Sequence, residues 1–174
     1  ILEDGDAELK DGLIEHYDSF HRLMDDIFET EKISDDFLDE IAKEVSLKSL
    51  MDYIFYESYF ANNDWPENNS MCYKSDKKKW KWILNDLDYA LAYPGEDNVN
   101  TNMFDVIFKE TAVFTKLFSR LMTNNHFKKD FIERAEENIA EYFGDRMENI
   151  YQGFKKTIEP HIEDQIKRWR AIET

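Results

Sequence analysis

Several residue types and patterns that particular classes of protein require are rare or absent in this sequence. Its 174 residues include 5 glycines and 3 prolines, which disfavours a turn-rich all-β fold and favours long helices. The single cysteine, Cys72, excludes an intrachain disulfide and a cysteine zinc cluster. No apolar run reaches the length of a membrane span, and no signal peptide is recognisable.

Charge and aromatic content narrow the possibilities further. The formal net charge of -16 disfavours binding to nucleic acid, because the phosphates would be repelled. The 13 Phe, 9 Tyr and 4 Trp are too many for a disordered chain. The length suits one compact body, so the sequence predicts a single domain over residues 1–174.

Apolar residues recur at helical spacing through most of the chain. The pattern predicts a helix from about 6 to 30, with no strand before it. Ser34 and Ser46 are good N-caps for the next two helices. The second of these is apolar on much of its circumference, so it is predicted to be central and buried and to end near Asn62. From Met103 onward the pattern is helical again.

The segment 62–88 departs from this helical pattern. It begins with an acidic and amide-rich loop and continues into two predicted strands, 71–74 and 80–85, joined by a polar turn. The second strand ends at two carboxylates, Asp86 and Asp88. A small strand pair with so many oxygen ligands, inside a helical protein, is the best candidate for a functional site.

Two features of this segment match the chemistry of phosphoryl transfer. Asp64 and Asn69 have the D-x-x-x-x-N spacing of a kinase catalytic loop, in which the Asp accepts the proton of the acceptor hydroxyl and the Asn binds magnesium. Asp86 follows a strand, as does the kinase Asp that binds the phosphate-bridging metal. The alternative is that these residues only form local turns and strand ends, since Asn and Asp readily bond to nearby backbone.

The motifs NDWPENN, at 63–69, and KWKWILNDLD, at 79–88, resemble the core signature of the CotH kinase family. The resemblance spans roughly residues 47–169. This family includes the bacterial spore-coat protein kinase and many secreted or surface proteins. The resemblance implies an atypical protein-kinase-like fold that transfers the γ-phosphate of ATP to Ser or Thr of a protein substrate.

The resemblance also implies a role for each matching residue. Asp64 becomes the catalytic carboxylate, and Asn69 and Asp86 become the residues that hold Mg²⁺ and, through it, the nucleotide. Asp88 is a further candidate metal ligand. Asn85 stands where the family element often has an aromatic residue.

One part of a kinase is missing from the sequence pattern. Kinases cover the nucleotide with a β-rich lobe that carries a glycine-rich loop. Glycines at positions 5, 12, 95, 144 and 153 cannot form G-x-G-x-x-G. The sequence therefore predicts a mainly α protein: a helical, kinase-like C-lobe with a small β-hairpin insertion that carries the site, and no N-terminal β lobe. These residues alone are expected to bind ATP poorly and to be inactive, whereas the intact parent is expected to be a kinase.

A non-catalytic role is the alternative. The same oxygens would then bind a metal such as calcium, or nothing, in an adhesion or scaffold module of a surface protein. The chain begins at Ile1 rather than at a methionine, which leaves open a signal or domain upstream. The compartment is unknown from the sequence, and the resemblance suggests the spore coat, or a secreted or cell-surface location, in a bacterium.

Overall fold

The computed structural model describes residues 1–91, 100–109 and 111–169, so the glycine at position 95 lies outside the described residues. Over the described residues the chain is mainly helical with a small antiparallel sheet, in agreement with the predicted class. It forms two compact units, one covering Ile1–Ala135 and the other beginning at Glu136. No helix in the described ranges is long and apolar enough to cross a membrane.

The first unit contains all of the described strands and most of the helices. The strands are β1 (Leu2–Glu3), β2 (Glu8–Leu9), β3 (Met71–Tyr73) and β4 (Lys81–Ile83). The helices are α1 (Ile14–Glu29), α2 (Asp35–Glu44), α3 (Leu47–Tyr59), α4 (Met103–Ile107), α5 (Val113–Leu121) and α6 (Asn125–Tyr142), of which α6 continues into the second unit.

The strands form one sheet in the order β2-β1-β3-β4, and every neighbouring pair is antiparallel. The predicted hairpin is confirmed as β3 and β4, with shorter strands than expected and with Cys72 opposite Trp82. Trp80 bridges to Val45 in the link between α2 and α3. The beginning of β4 is therefore fixed against the central helices.

The N-terminal segment differs from the prediction. A helix from position 6 with no preceding strand is wrong, because α1 begins only at Ile14 and the β1–β2 hairpin precedes it. Asp4, Ala7 and Gly12 have φ values of 62°, 53° and 118°, which a right-handed helix does not admit. Pairing of Leu2 with Cys72 in β3 overrides the local helical periodicity.

Both predicted N-caps are confirmed. The Ser34 hydroxyl accepts a hydrogen bond from the Phe37 amide at 3.2 Å, and the Ser46 hydroxyl accepts one from the Ser49 amide at 3.4 Å. Each bond satisfies an amide that the first helical turn leaves without an intrahelical partner. The second capped helix, α3, is the buried central helix that its composition predicts.

Aromatic rings pack around the β3–β4 hairpin. The ring centroids of Phe20 and Trp80 are 5.0 Å apart, and those of Trp82 and Phe114 are 5.6 Å apart, both edge to face. Such pairs contribute roughly 1 kcal/mol each beyond the burial of their apolar surface. This core holds β4 between α1, α3 and α5 and so determines where the residues after β4 lie.

The second unit consists of the end of α6, α7 (Asp145–Ile158), a short 3₁₀ segment (Glu159–His161) and α8 (Ile162–Trp169). Gly144, with a φ of 83°, separates α6 from α7. Large apolar side chains on α7 and α8, including Phe154 and Trp169, are exposed.

Candidate functional site

The acidic loop after α3 is anchored to that helix by a buried tryptophan. The Trp65 indole Nε1 donates to the Tyr53 hydroxyl at 2.7 Å, and the two rings meet edge to face. The Tyr53 hydroxyl also lies 3.5 Å from the Ser70 hydroxyl, which donates to the Pro66 carbonyl at 2.6 Å. Burial, and then the charge of Glu57, raise the pKa of Tyr53, so the phenol stays neutral.

The N-terminal hairpin supports the same loop from another side. The Asp4 amide donates to the Ser70 carbonyl at 2.7 Å, and the Gly5 amide donates to the Glu67 carbonyl at 2.9 Å. The Gly5 carbonyl in turn accepts from the Val113 amide at the start of α5. These main-chain contacts join segments far apart in sequence, and the side-chain pattern gave no signal of them.

Asp64 is held by two amides from its own loop. Asn68 Nδ2 donates to one carboxylate oxygen and Asn69 Nδ2 to the other, each at 2.9 Å. The two residues of the D-x-x-x-x-N spacing are therefore in contact. Asn69 has a φ of 59°, a conformation that asparagine tolerates better than most residues. Its Oδ1, which does not face Asp64, is an acceptor for a further partner.

The carboxylates that follow β4 lie close to each other and to Asp64. Desolvation, then the hydrogen bond and charge of Asp86, and then the charge of Asp64, raise the pKa of Asp88. Asp86 has a φ of 52°, in the strained left-handed region. Both Asp86 and Asp88 are exposed, so a ligand can reach them.

The side chain of Asn62 connects the two predicted segments. It is fully buried. Its Nδ2 donates to the Asp86 main-chain carbonyl at 3.2 Å, and its Oδ1 accepts from the Asp64 amide at 3.3 Å. From the sequence, Asn62 was only the expected end of a helix, because the second segment that it contacts lies beyond the hairpin.

Glu57 is a second residue that sequence reasoning missed. It is fully buried, and its Oε2 accepts from Asn62 Nδ2 at 3.0 Å, whereas its Oε1 has no hydrogen-bond partner within the described structure. Burial raises the pKa of Glu57 to about 7, with the Asn62 bond acting in the opposite direction. Its sequence signal was an acid within the apolar stretch Tyr53–Tyr59 of α3.

A cavity of about 270 Å³ opens beside Asp64. The loop, including Pro66 and Glu67, forms part of its wall, and Met103 and Val106 from α4 form another part. The mixture of carboxylate, amide and apolar groups suits a small polar group carried on a longer chain, such as a side chain of another protein.

The ligand set limits how a metal can be held. Among the described residues, no three Asp, Glu, His or Cys side chains are arranged to bind a metal ion. Asn69, Asp86 and Asp88 supply one amide and two carboxylates. Mg²⁺ commonly takes only one or two protein carboxylates and completes its shell with water and phosphate oxygens. A cation held by Asn69, Asp86 and Asp88 would therefore keep positions open for water or for phosphate oxygens.

Fold and site together define a mainly helical protein with an acidic corner where a loop meets the end of a β-hairpin. Residues 3–174 match the family model described as CotH kinase protein. The chain therefore belongs to the CotH kinase family, which confirms the resemblance of the two motifs and extends it beyond 47–169. No curated protein and no solved structure matches the chain.

Proposed function

We propose that this chain is the catalytic-loop and metal-binding part of an atypical protein kinase that transfers the γ-phosphate of ATP to a protein Ser or Thr. The observation that carries the proposal is the link from Asn62 to both the Asp64 amide and the Asp86 carbonyl. That link brings the two segments of the kinase-like motif to one corner. Family membership is the second support.

Asp64 is the residue that receives the acceptor proton. The two amides that contact its oxygens fix the direction of the carboxylate, and the adjoining cavity gives a Ser or Thr side chain access to it. In the transfer, a bond forms between the hydroxyl oxygen and the γ-phosphorus, the bond from that phosphorus to ADP breaks, and the hydroxyl proton passes to Asp64.

Asn69 and Asp86 are the proposed ligands of Mg²⁺, with Asp88 as a further ligand. When bound, the ion neutralises the charge of the phosphates during transfer. Desolvation, and then the hydrogen bond and charge of Asp86, raise the pKa of Asp88, and a divalent cation held by these two residues would offset their repulsion. The resemblance implies a protein substrate, and it suggests a location in the spore coat, or a secreted or cell-surface location, in a bacterium.

The test is phosphate transfer from γ-labelled ATP by the full-length gene product. Asp64→Asn and Asp86→Asn are each expected to lower the rate by at least about 100-fold, the range of a lost catalytic group. Asp76→Asn, in the exposed turn between β3 and β4, removes the same charge and should leave the rate unchanged. Full activity in both site variants contradicts the assignment.

The non-catalytic alternative has its own signature in the same preparations. A metal-binding adhesion or scaffold module gains stability from the cation alone, because a ligand that binds only the folded state raises the melting temperature. Such a module shows no further shift with nucleotide and no transfer of label. A kinase shows both the further shift with nucleotide and the transfer of label.

A further inference from the structure

We infer that Asn62 is a positioning residue, which sets the separation between the backbone that carries Asp64 and the backbone that carries Asp86. The inference rests on the proposed function, in which the two carboxylates act at one site. It concerns a side chain that lies in the wall of the cavity beside Asp64, is itself fully buried, and acts through the main chains that it contacts.

The bonds of Asn62 fix main chains rather than carboxylates. Its Oδ1 accepts from the amide of Asp64, and its Nδ2 donates to the carbonyl of Asp86. The carboxylates themselves stay available for ligands while the points from which they project are held. Because Asn62 is fully buried, its polar atoms are satisfied by these protein partners rather than by bulk water, and losing the bonds is costly.

Glu57 orients the Asn62 amide. Its Oε2 accepts from Asn62 Nδ2 at 3.0 Å, and its main-chain carbonyl accepts from the Asn62 amide at 3.3 Å. Two contacts from α3 thus hold the residue at both its backbone and its side chain. Through these contacts the rigid central helix fixes the positions of both site segments.

A main-chain bond also joins the same segments, between the residues that adjoin Asp64 and Asp88. The Asn63 amide donates to the Tyr89 carbonyl at 3.4 Å. This longer bond keeps the segments associated when the Asn62 side chain is removed, so the expected result is a loosened site rather than a lost one.

Asn124 provides a matched control. It is also buried, and its Nδ2 donates to one carbonyl, of Ile33, and one carboxylate, of Asp35, while its Oδ1 accepts from the Phe127 amide. The two asparagines therefore make the same three kinds of hydrogen bond. A purely structural role predicts similar consequences when either is replaced.

The first experiment measures amide hydrogen exchange of this chain without ligand. The Ala90 amide donates to the Leu87 carbonyl in the turn after Asp86. In Asn62→Ala this amide should exchange at least tenfold faster than in the wild type, after correction for any change in global stability. In Asn124→Ala, the Phe127 amide should respond instead, and Ala90 should not. Equal acceleration of Ala90 in both variants overturns the inference.

The second measurement is the affinity for Mn²⁺, used as a probe of the cation site. Asn62→Ala should bind Mn²⁺ at least tenfold more weakly than the wild type, and Asn124→Ala should match the wild type. If the wild type binds no Mn²⁺, the proposed function fails, and the exchange comparison still decides the positioning role. If Asn62→Ala binds Mn²⁺ as tightly as the wild type does, the positioning role is contradicted but the proposed function is not.

A more conservative substitution tests the inference in case Asn62→Ala does not fold. Asn62→Ser introduces a hydroxyl that can accept from the Asp64 amide, as in an ST-turn, but is too short to reach the Asp86 carbonyl. It should accelerate Ala90 exchange and weaken Mn²⁺ binding in the same direction. Wild-type exchange at Ala90 together with wild-type Mn²⁺ affinity in Asn62→Ser contradicts the inference.

Discussion

Asn69 donates its side-chain amide to the carboxylate of Asp64 at 2.9 Å, so the two residues of the predicted catalytic-loop spacing touch each other. The contact directs the Asn69 side-chain nitrogen towards Asp64, so Oδ1 is the atom through which Asn69 would bind a cation. In the proposed function, this loop would present a proton acceptor and a metal ligand side by side.

The first prediction concerns the support of this loop by the N-terminal hairpin. Gly5→Ala should lower the free energy of unfolding by no more than about 1 kcal/mol, because the added Cβ would overlap only the end of the exposed Glu67 side chain, which can move aside. The φ of Gly5 lies outside the left-handed region, so its conformation alone admits alanine. Denaturant unfolding measures the change.

Two controls accompany Gly5→Ala. Adding Glu67→Ala should remove any loss, since it removes the overlapping atoms. Gly153→Ala, in α7, meets nothing within 4 Å and should be neutral or stabilising by up to about 1 kcal/mol. A loss well above about 1 kcal/mol in Gly5→Ala would contradict this prediction, because it would mean that the Glu67 side chain cannot move aside.

Local features of this protein were predictable from sequence, and long-range contacts were not. The caps Ser34 and Ser46, the β3–β4 hairpin and the Asp64–Asn69 pair depend on residues a few positions apart, where spacing carries the information. The β1–β2 hairpin depends on pairing between Leu2 and Cys72, which overrides a helical pattern. No single-sequence periodicity reports such a pairing.

The site shows the same division. Asp64, Asn69, Asp86 and Asp88 stand out by residue type and spacing, but nothing in the sequence says that Asn62 bonds to the carbonyl of Asp86, 24 positions later. Glu57 could have been noticed as an acid in a buried helical stretch. Its hydrogen bond to Asn62 could not have been predicted, because that bond depends on how the chain leaves α3 and enters the loop.

The second prediction concerns the pH dependence of stability at Glu57. Its pKa is 4.5 ordinarily and about 7 in the folded protein. Between these values the folded state keeps a proton that the unfolded state has lost, so stability is higher below pH 4.5 and falls as the pH rises to about 7. Tyr53, which also faces Glu57, remains neutral throughout and does not add to this window.

Glu57→Gln should remove that dependence. The variant should match the wild type within about 1 kcal/mol near pH 4 and exceed it by about 2–4 kcal/mol at pH 8, since each pKa unit corresponds to about 1.4 kcal/mol. The measurement is the difference between the variant and wild-type unfolding free energies across this range. A difference that does not change with pH would mean that Glu57 does not titrate in this window.

The third prediction concerns Asp88. Because desolvation, Asp86 and then Asp64 raise its pKa, Asp86→Asn should lower that pKa towards the ordinary value, and Asp64→Asn should lower it less. Carbon-13 NMR titration of the Asp88 carboxyl group measures both shifts. Asp76→Asn serves as the control. If Asp86→Asn left the pKa of Asp88 unchanged, the two carboxylates would not interact, and the prediction would be contradicted.

The most direct test of the account is where Mn²⁺ binds in this chain, followed by paramagnetic broadening of NMR signals. We predict that small amounts of Mn²⁺ broaden the Asn69 side-chain amide and the main-chain amides of Asp86 and Asp88 together, before signals near Asp76 or Glu163. Asp86→Asn should abolish this joint effect. Broadening that spares either Asn69 or Asp86, or that spreads evenly over the acidic surface, would contradict a common cation site.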